Sequence, residues 1–148
     1  MALRIARWAR GILWVVLVAA IGMQFVQPSR TNPRVDPAAS LLTKTPPEIT
    51  ALLIRACRDC HSNDTRWPMY SYVAPMSWLV ASDVNHGREH FNYSEWTAFD
   101  SDDQDKLLGA MCSLTQRHRM PLPSYLLIPR DAKLSPADVK ALCAWSDK

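Results

Sequence analysis

The chain has 148 residues, of which 48% are hydrophobic and 21% are charged, and these values fit one folded domain with an apolar appendage. Its formal net charge of +3 comes from Arg4, Arg7 and Arg10, because the rest of the chain has 14 basic and 14 acidic residues. This balanced remainder has no basic stripe, which excludes a nucleic-acid partner.

An uncharged, mostly apolar run, residues 11–26, follows these arginines. As a helix it would cover about 24 Å at ~1.5 Å per residue, slightly less than the ~30 Å of a hydrocarbon core. The run is not followed by a small-x-small cleavage site or a lipobox cysteine, which favours an uncleaved anchor over a signal peptide. The sequence therefore predicts an amino-terminal membrane anchor within residues 1–27, with its basic end inside the cell.

A stretch with several prolines, residues 28–44, predicts an extended linker between this anchor and a domain formed by residues 45–148. Thr45, Pro46 and Glu48 match a capping box, with proline at the first helical position. They predict that a helix begins here and runs to the next motif. Its expected buried residues are Ile49, Leu52, Leu53 and Ala56.

The residues Cys57, Cys60 and His61 form the pattern Cys-x-x-Cys-His, which is used to attach c-type haem covalently. Two thiols one helical turn apart can reach two vinyl groups of one porphyrin edge, and the histidine can then take one axial position on the iron. A zinc site would need a fourth ligand, and a thioredoxin-like dithiol would follow a strand; both stay as alternatives. We therefore predict one covalent haem c.

The segment after this motif, residues 62–72, mixes proline, polar and aromatic residues. It predicts a loop pressed against an apolar surface, which is either the porphyrin or the ordinary core. Within it, Arg66 and the indole of Trp67 are candidate donors to a haem propionate.

Apolar residues at turn spacing predict a helix from Ala74 to about Phe91. His86 and His90 are four residues apart and share one face of it, as a metal-binding pair would. The sequence shows no partner ligand for them. We therefore interpret both as surface or supporting residues, with either one as a rival haem ligand.

A further helix is predicted from Ser101 to about His118, and Met120 lies in the loop after it. Pro121 and Pro123 stiffen this loop, so the Met120 thioether is a candidate for the second axial position on iron. The alternative is a methionine buried in the core.

Near the carboxyl end, Ser135, Pro136 and Asp138 repeat the capping pattern and predict a last helix to about Trp145.

Cys112 and Cys143 remain after the haem motif has used two of the four cysteines. They either form a disulfide or stay as two separate buried thiols, because one sequence does not reveal the distance between two helices. A disulfide requires an oxidising compartment. Bacteria also attach c-type haem outside the cytoplasm, so both features predict a domain that faces the periplasm from the bacterial inner membrane.

Taken in order, the haem motif, Met120-Pro121 and the last helix resemble class I cytochromes c. Residues 60–68, 77–80 and 91–96 resemble more narrowly the haem-binding domain family of small membrane-anchored bacterial proteins. The resemblance covers about residues 45–147 and implies haem binding on a cytochrome-c-like core. We therefore expect an all-α fold: a small cytochrome-c-like helical domain preceded by one transmembrane helix.

The expected function is periplasmic electron transfer by a membrane-anchored monohaem c-type cytochrome with His61 and Met120 as axial ligands. Its partners would be membrane oxidoreductases or periplasmic electron carriers. An enzymatic role is not expected, because the chain has one haem motif and a di-haem peroxidase needs two. The alternative is a haem sensor in which Met120 leaves and a diatomic gas binds.

Overall fold

The structure is a computed structural model that describes residues 2–128 and 130–147. Those residues form helices, 3-10 turns and irregular segments without any strand, so the all-α prediction is confirmed. The helices are α1 (Ala2–Met23), α2 (Pro47–Ala56), α3 (Arg58–His61), α4 (Met76–His90), α5 (Ser101–Gln116) and α6 (Pro136–Ser146).

The prediction of a transmembrane helix is wrong, since no helix in the described part of the chain is long and apolar enough to cross a membrane. α1 ends at Met23, before the uncharged run does, and its first turns contain Arg4, Arg7 and Arg10. The uncharged part of the helix is therefore residues 11–23. This is about 20 Å at ~1.5 Å per residue, well below the ~30 Å of a hydrocarbon core.

The chain divides into two units, of which the first comprises residues 2–31 and 67–83. Within it, the Gln24 side chain pairs with both backbone groups of Ala74: its Oε1 accepts from the N–H at 3.0 Å and its Nε2 donates to the carbonyl at 3.2 Å. The Trp78 indole donates to a backbone carbonyl of the segment after α1 at 2.6 Å. These bonds join that segment to the residues around the start of α4.

The second unit comprises residues 32–66 and 84–147 and contains the hydrophobic core. Within it, α6 packs against α2 and α5. The buried cluster consists of Leu41, Ile49, Leu52, Leu53, Phe91, Tyr93, Trp96, Met111 and Leu142. All four α2 residues that the helical periodicity marked as buried are buried, which confirms that part of the prediction.

The two predicted capping boxes have different outcomes. Ser135 caps α6 as expected: its hydroxyl accepts from the Asp138 N–H at 3.1 Å, and the Asp138 carboxylate accepts from the Ser135 N–H at 2.8 Å. The box at Thr45 is wrong, because the N-cap of α2 is Pro46 and makes no side-chain bond. The Thr45 hydroxyl bonds instead to the Thr50 hydroxyl at 2.7 Å.

The stretch predicted as a linker also contributes to the core of the second unit. The Ser40 hydroxyl accepts from the Leu42 N–H at 3.2 Å and caps the 3-10 turn Leu41–Lys44. This turn directs Leu41 inward, where only 2% of it is exposed.

Small residues form the buried side of α4. Ser77, Ala81, Val84 and Gly87 are buried, whereas the larger Leu79 is 47% exposed. A helix with small residues on one face can approach neighbouring backbone closely. α4 makes such a close approach to the haem motif at Gly87.

Candidate haem site

The Cys-x-x-Cys-His motif lies on a tight turn that follows α2. Cys57 is the C-cap of α2, and its N–H donates to the Leu53 carbonyl at 3.0 Å. Its own carbonyl accepts from the His61 N–H at 2.9 Å, which closes the single helical turn α3. Cys57 and Cys60 are both half-buried, and neither takes part in a disulfide. The motif therefore presents two thiols and an imidazole on one turn, as haem attachment requires.

Burial raises the pKa of the Cys57 thiol to about 12, and the Arg55 charge opposes this only in part. A reactive dithiol needs the opposite shift, because the thiolate is the nucleophile and the metal ligand. In the residues that the structure describes, no three His, Cys, Asp or Glu side chains cluster as a metal ion would need. The local chemistry therefore favours neither of the alternatives, a redox dithiol or a zinc site.

Two backbone carbonyls from the end of α4 and the residue after it orient the His61 imidazole. His61 Nδ1 lies 3.0 Å from the Gly87 oxygen and 2.9 Å from the Phe91 oxygen. Carbonyls only accept hydrogen bonds, so the neutral ring carries its hydrogen on Nδ1 and keeps the Nε2 lone pair for a metal. This is the tautomer that an axial histidine needs.

Burial lowers the pKa of His61, and the two carbonyl contacts oppose that shift without cancelling it. The neutral form, which binds iron, is therefore favoured near neutral pH. The Phe91 ring adds an apolar wall, with its centroid 5.6 Å from that of the imidazole. The residues present thus fit a haem with His61 as its proximal ligand.

The position of these carbonyls depends on a close approach of α4 to the motif. A Cβ on Gly87 would collide with the Cys60 carbonyl and come within 3.1 Å of the Cys60 Cβ. The next residue, Arg88, donates through Nε to the Ser62 carbonyl at 2.8 Å and through a terminal nitrogen to the Thr65 hydroxyl at 2.8 Å. Arg88 thus joins the end of α4 to Ser62 and Thr65, just after His61.

A polar network joins the segment after His61 to residues 92–95. The Asn63 N–H donates to the Ser94 hydroxyl at 3.1 Å, and the Asn63 carboxamide donates to Glu95 at 2.9 Å. Asn92 in turn donates to the Asn63 side-chain oxygen at 2.7 Å. Since buried polar groups are costly unless they are paired, this network specifies one arrangement of the segment after His61 against residues 92–95.

Asp59, inside the motif, accepts several hydrogen bonds. Its Oδ1 accepts from the backbone N–H and the Nε of Arg66, both at 3.3 Å. Its Oδ2 accepts from the Tyr125 hydroxyl at 2.8 Å. Arg66, a candidate donor to a propionate, thus directs its Nε to this carboxylate. Trp67, the other candidate, is half-buried and groups with the first unit.

The backbone at Met120 is held by the end of α5. The Arg119 N–H donates to the Leu114 carbonyl at 2.9 Å, the Met120 N–H donates to the same oxygen at 3.3 Å, and the His118 N–H donates to Thr115 at 3.1 Å. This is the Schellman pattern of helix termination, with His118 in the left-handed position at φ 54°. Met120 is half-buried, and the Met120–Pro121 peptide is cis.

The two histidines predicted as surface or supporting residues, His86 and His90, are exposed on α4. His90 Nδ1 donates to the His86 carbonyl of the same helix at 2.8 Å. A disulfide joins Cys112 in α5 to Cys143 in α6, with 4.8 Å between their Cα atoms.

Sequence reasoning missed three contributors to the site: Gly87, the Phe91 carbonyl and Tyr125. A lone glycine in a helical pattern signals a close backbone approach, so Gly87 had a usable signal. The Phe91 carbonyl and Tyr125 had none, because they lie 30 and 66 residues from their partners.

The fold and the site define a class of protein: a helical chain with a Cys-x-x-Cys-His motif on one turn, whose histidine Nδ1 is directed at two backbone carbonyls. The sequence model described as a haem-binding domain matches residues 18–148, and the chain belongs to this family. The protein therefore binds haem. No curated protein and no solved structure matches the chain.

Proposed function

We propose that the protein is a monohaem c-type cytochrome that transfers electrons outside the cytoplasm. The observation that carries the proposal is the geometry of His61, whose Nδ1 is directed at two carbonyls while two thiols lie on the same turn. Cys57 and Cys60 would hold the porphyrin through thioether bonds, and His61 would bind the iron. When bound, haem supplies an iron that gains and loses one electron.

Met120 is proposed as the second axial ligand. A thioether opposite histidine raises the reduction potential and fills the position that an exogenous ligand would take. The hydrogen bonds at the end of α5 support this role, because they limit the motion of the Met120 backbone.

The proposed compartment is the bacterial periplasm, which is oxidising and is where c-type haem is attached. The disulfide between Cys112 and Cys143 supports this compartment, since such bonds persist in oxidising surroundings. The proposed partners are redox proteins that exchange electrons at the haem edge. The family suggests a binding module rather than a catalyst.

Covalent attachment is tested by expressing the full chain in a periplasm with haem-attachment machinery and staining denaturing gels for haem. The double variant Cys57→Ser with Cys60→Ser should lose the stain. The matched control, Cys112→Ser with Cys143→Ser, removes the same number of cysteines and should keep it. Full staining of the first variant would refute the covalent proposal.

Axial ligation is tested on the haem-loaded chain by the methionine-to-iron charge-transfer band near the red end of the ferric spectrum. Met120→Ala should abolish the band, whereas Met69→Ala, at a residue 88% exposed, should not. His86→Ala and His90→Ala should leave the band unchanged. A high-spin ferric protein that binds carbon monoxide readily when reduced would favour a gas-binding sensor instead.

A further inference from the structure

We propose that Asp59 and Tyr125 form a clasp that holds the Met120 loop, residues 119–128, to the haem motif and so controls how readily Met120 leaves the iron. The inference rests on the proposed function, because it requires Met120 as an axial ligand. It assigns positioning roles to two residues that make no contact of their own with the iron.

The first part of the clasp is a largely buried carboxylate within the motif. Asp59 lies between the two cysteines, and its side chain is only 15% exposed. Oδ1 is occupied by Arg66, and Oδ2 is left for the phenol of Tyr125 at 2.8 Å. Hydrogen bonds to an ionised acceptor are about twice as strong as neutral ones. With both cysteines attached, the backbone of Asp59 would lie between two points of attachment to the haem.

The second part is a phenol five residues beyond the candidate ligand. Tyr125 begins the 3-10 turn Tyr125–Leu127 and is half-buried. Burial, and then the hydrogen bond to Asp59, raise the pKa of its hydroxyl well above its ordinary value. The phenol therefore keeps its hydrogen at physiological pH and stays a donor.

The importance of this one bond follows from the other hydrogen bonds described for the loop. They are all local: the first residues bond to the end of α5, and the later ones bond to residues three or four positions earlier. Among the hydrogen bonds described for residues 119–128, only that of the phenol reaches a distant partner, 66 residues away on the haem motif. The local bonds shape the loop, whereas the clasp fixes its distance from the motif.

The clasp therefore works against exchange of the methionine. A ligand such as imidazole must displace the Met120 thioether, and displacement is easier when the loop can move away from the motif. Loss of one hydrogen bond to a charged group should favour the displaced state roughly tenfold to a hundredfold.

The test compares two variants that each lose one hydroxyl group, both in the haem-loaded full chain. Tyr125→Phe removes the clasp donor, whereas Tyr72→Phe removes a phenol that is 54% exposed in the first unit. Imidazole should displace the methionine at a concentration roughly tenfold to a hundredfold lower in Tyr125→Phe and at an unchanged concentration in Tyr72→Phe. Hydrogen exchange should quicken in residues 119–128 of Tyr125→Phe alone.

Asp59→Ala supplies a second, independent variant and completes a double-mutant cycle. It should facilitate displacement at least as much as Tyr125→Phe, and the double variant should add little further, since both changes break the same bond. Additive effects would overturn the clasp. Asp59→Asn keeps an acceptor without the charge and should give an intermediate effect.

The outcomes separate this proposal from the proposed function. If the wild-type protein shows the methionine band and Tyr125→Phe binds imidazole like wild type, the clasp is refuted and the cytochrome proposal stands. If the wild-type protein lacks the band and Met120→Ala changes nothing, the axial assignment fails, and the clasp fails with it.

Discussion

The two candidate axial ligands are held in different ways. His61 is oriented by carbonyls that come from α4 and the residue after it, and its neighbours belong to a buried polar network. The backbone of Met120 is held by the end of α5, and its loop is held by one remote hydrogen bond from Tyr125 to Asp59. The difference indicates that the proximal side is set by tertiary packing and the methionine side by a short restrained loop. Ligand exchange is therefore expected at Met120.

Removal of the disulfide should have the largest effect and should act mainly on the methionine side. Cys112 and Cys143 are 31 residues apart, so on the chain-entropy model the cross-link contributes about 3–4 kcal/mol to the free energy of unfolding. Cys112→Ser with Cys143→Ser should lose that amount in urea titrations. Hydrogen exchange should quicken more in residues 117–128 than in 58–63.

Treatment of the wild-type protein with a thiol reductant provides the control, because it opens the disulfide and leaves thioethers intact. It should reproduce the variant. If neither treatment lowers the unfolding midpoint, the disulfide has no stabilising role.

Gly87→Ala should damage the proximal side. The added methyl group would collide with the Cys60 carbonyl, so α4 must move, and overpacking of this kind costs about 1–3 kcal/mol. Gly109→Ala is the matched control, because a Cβ there has nothing within 4 Å, and it should stabilise α5 by about 0.5–1 kcal/mol. Urea unfolding measures both. Equal effects would refute the close packing of α4 on the motif.

His118→Gly should strengthen the methionine side. His118 has φ 54°, a left-handed conformation that costs a residue with a Cβ about 1 kcal/mol and costs glycine almost nothing. The variant should therefore gain about 0.5–1 kcal/mol in thermal or urea unfolding. Arg117→Gly, at a neighbouring position with φ −82°, should lose stability instead. Destabilisation by both would refute the Schellman assignment.

A change remote from both ligands should have the smallest effect. The backbone N–H of Ser135 and the Arg55 ion pair at 2.9 Å lower the pKa of Asp138. A carboxyl with a lowered pKa stabilises the fold above about pH 4 and loses that contribution as the pH falls further. Asp138→Asn keeps the cap and should cost about 0.5 kcal/mol at pH 7.

The difference between Asp138→Asn and wild type should disappear in strong acid, where the wild-type carboxyl is protonated. The methionine band should stay unchanged in the variant. A pH-independent difference would show that the charge of Asp138 is not the cause.

Local rules predicted much of the helical structure. The periodicity in α2 identified its buried residues, and Ser135 with Asp138 identified the start of α6. Local rules were wrong at Thr45, where proline occupies the cap, and at the transmembrane segment, where α1 ends too early. In both cases the residue types suited the predicted element, but the helix begins or ends at a different residue from the predicted one. Helix boundaries depend on only a few contacts, so local rules predict them poorly.

The sequence by itself determined the haem motif, the all-α class and the family, because these depend on the order and spacing of residues along the chain. Only the tertiary structure decided which groups orient His61 and which residue restrains the Met120 loop. The Gly87 and Phe91 carbonyls lie 26 and 30 residues from His61, and Tyr125 lies 66 residues from Asp59. Backbone carbonyls are present at every position and a tyrosine has many uses, so only the packing of the chain selects these partners.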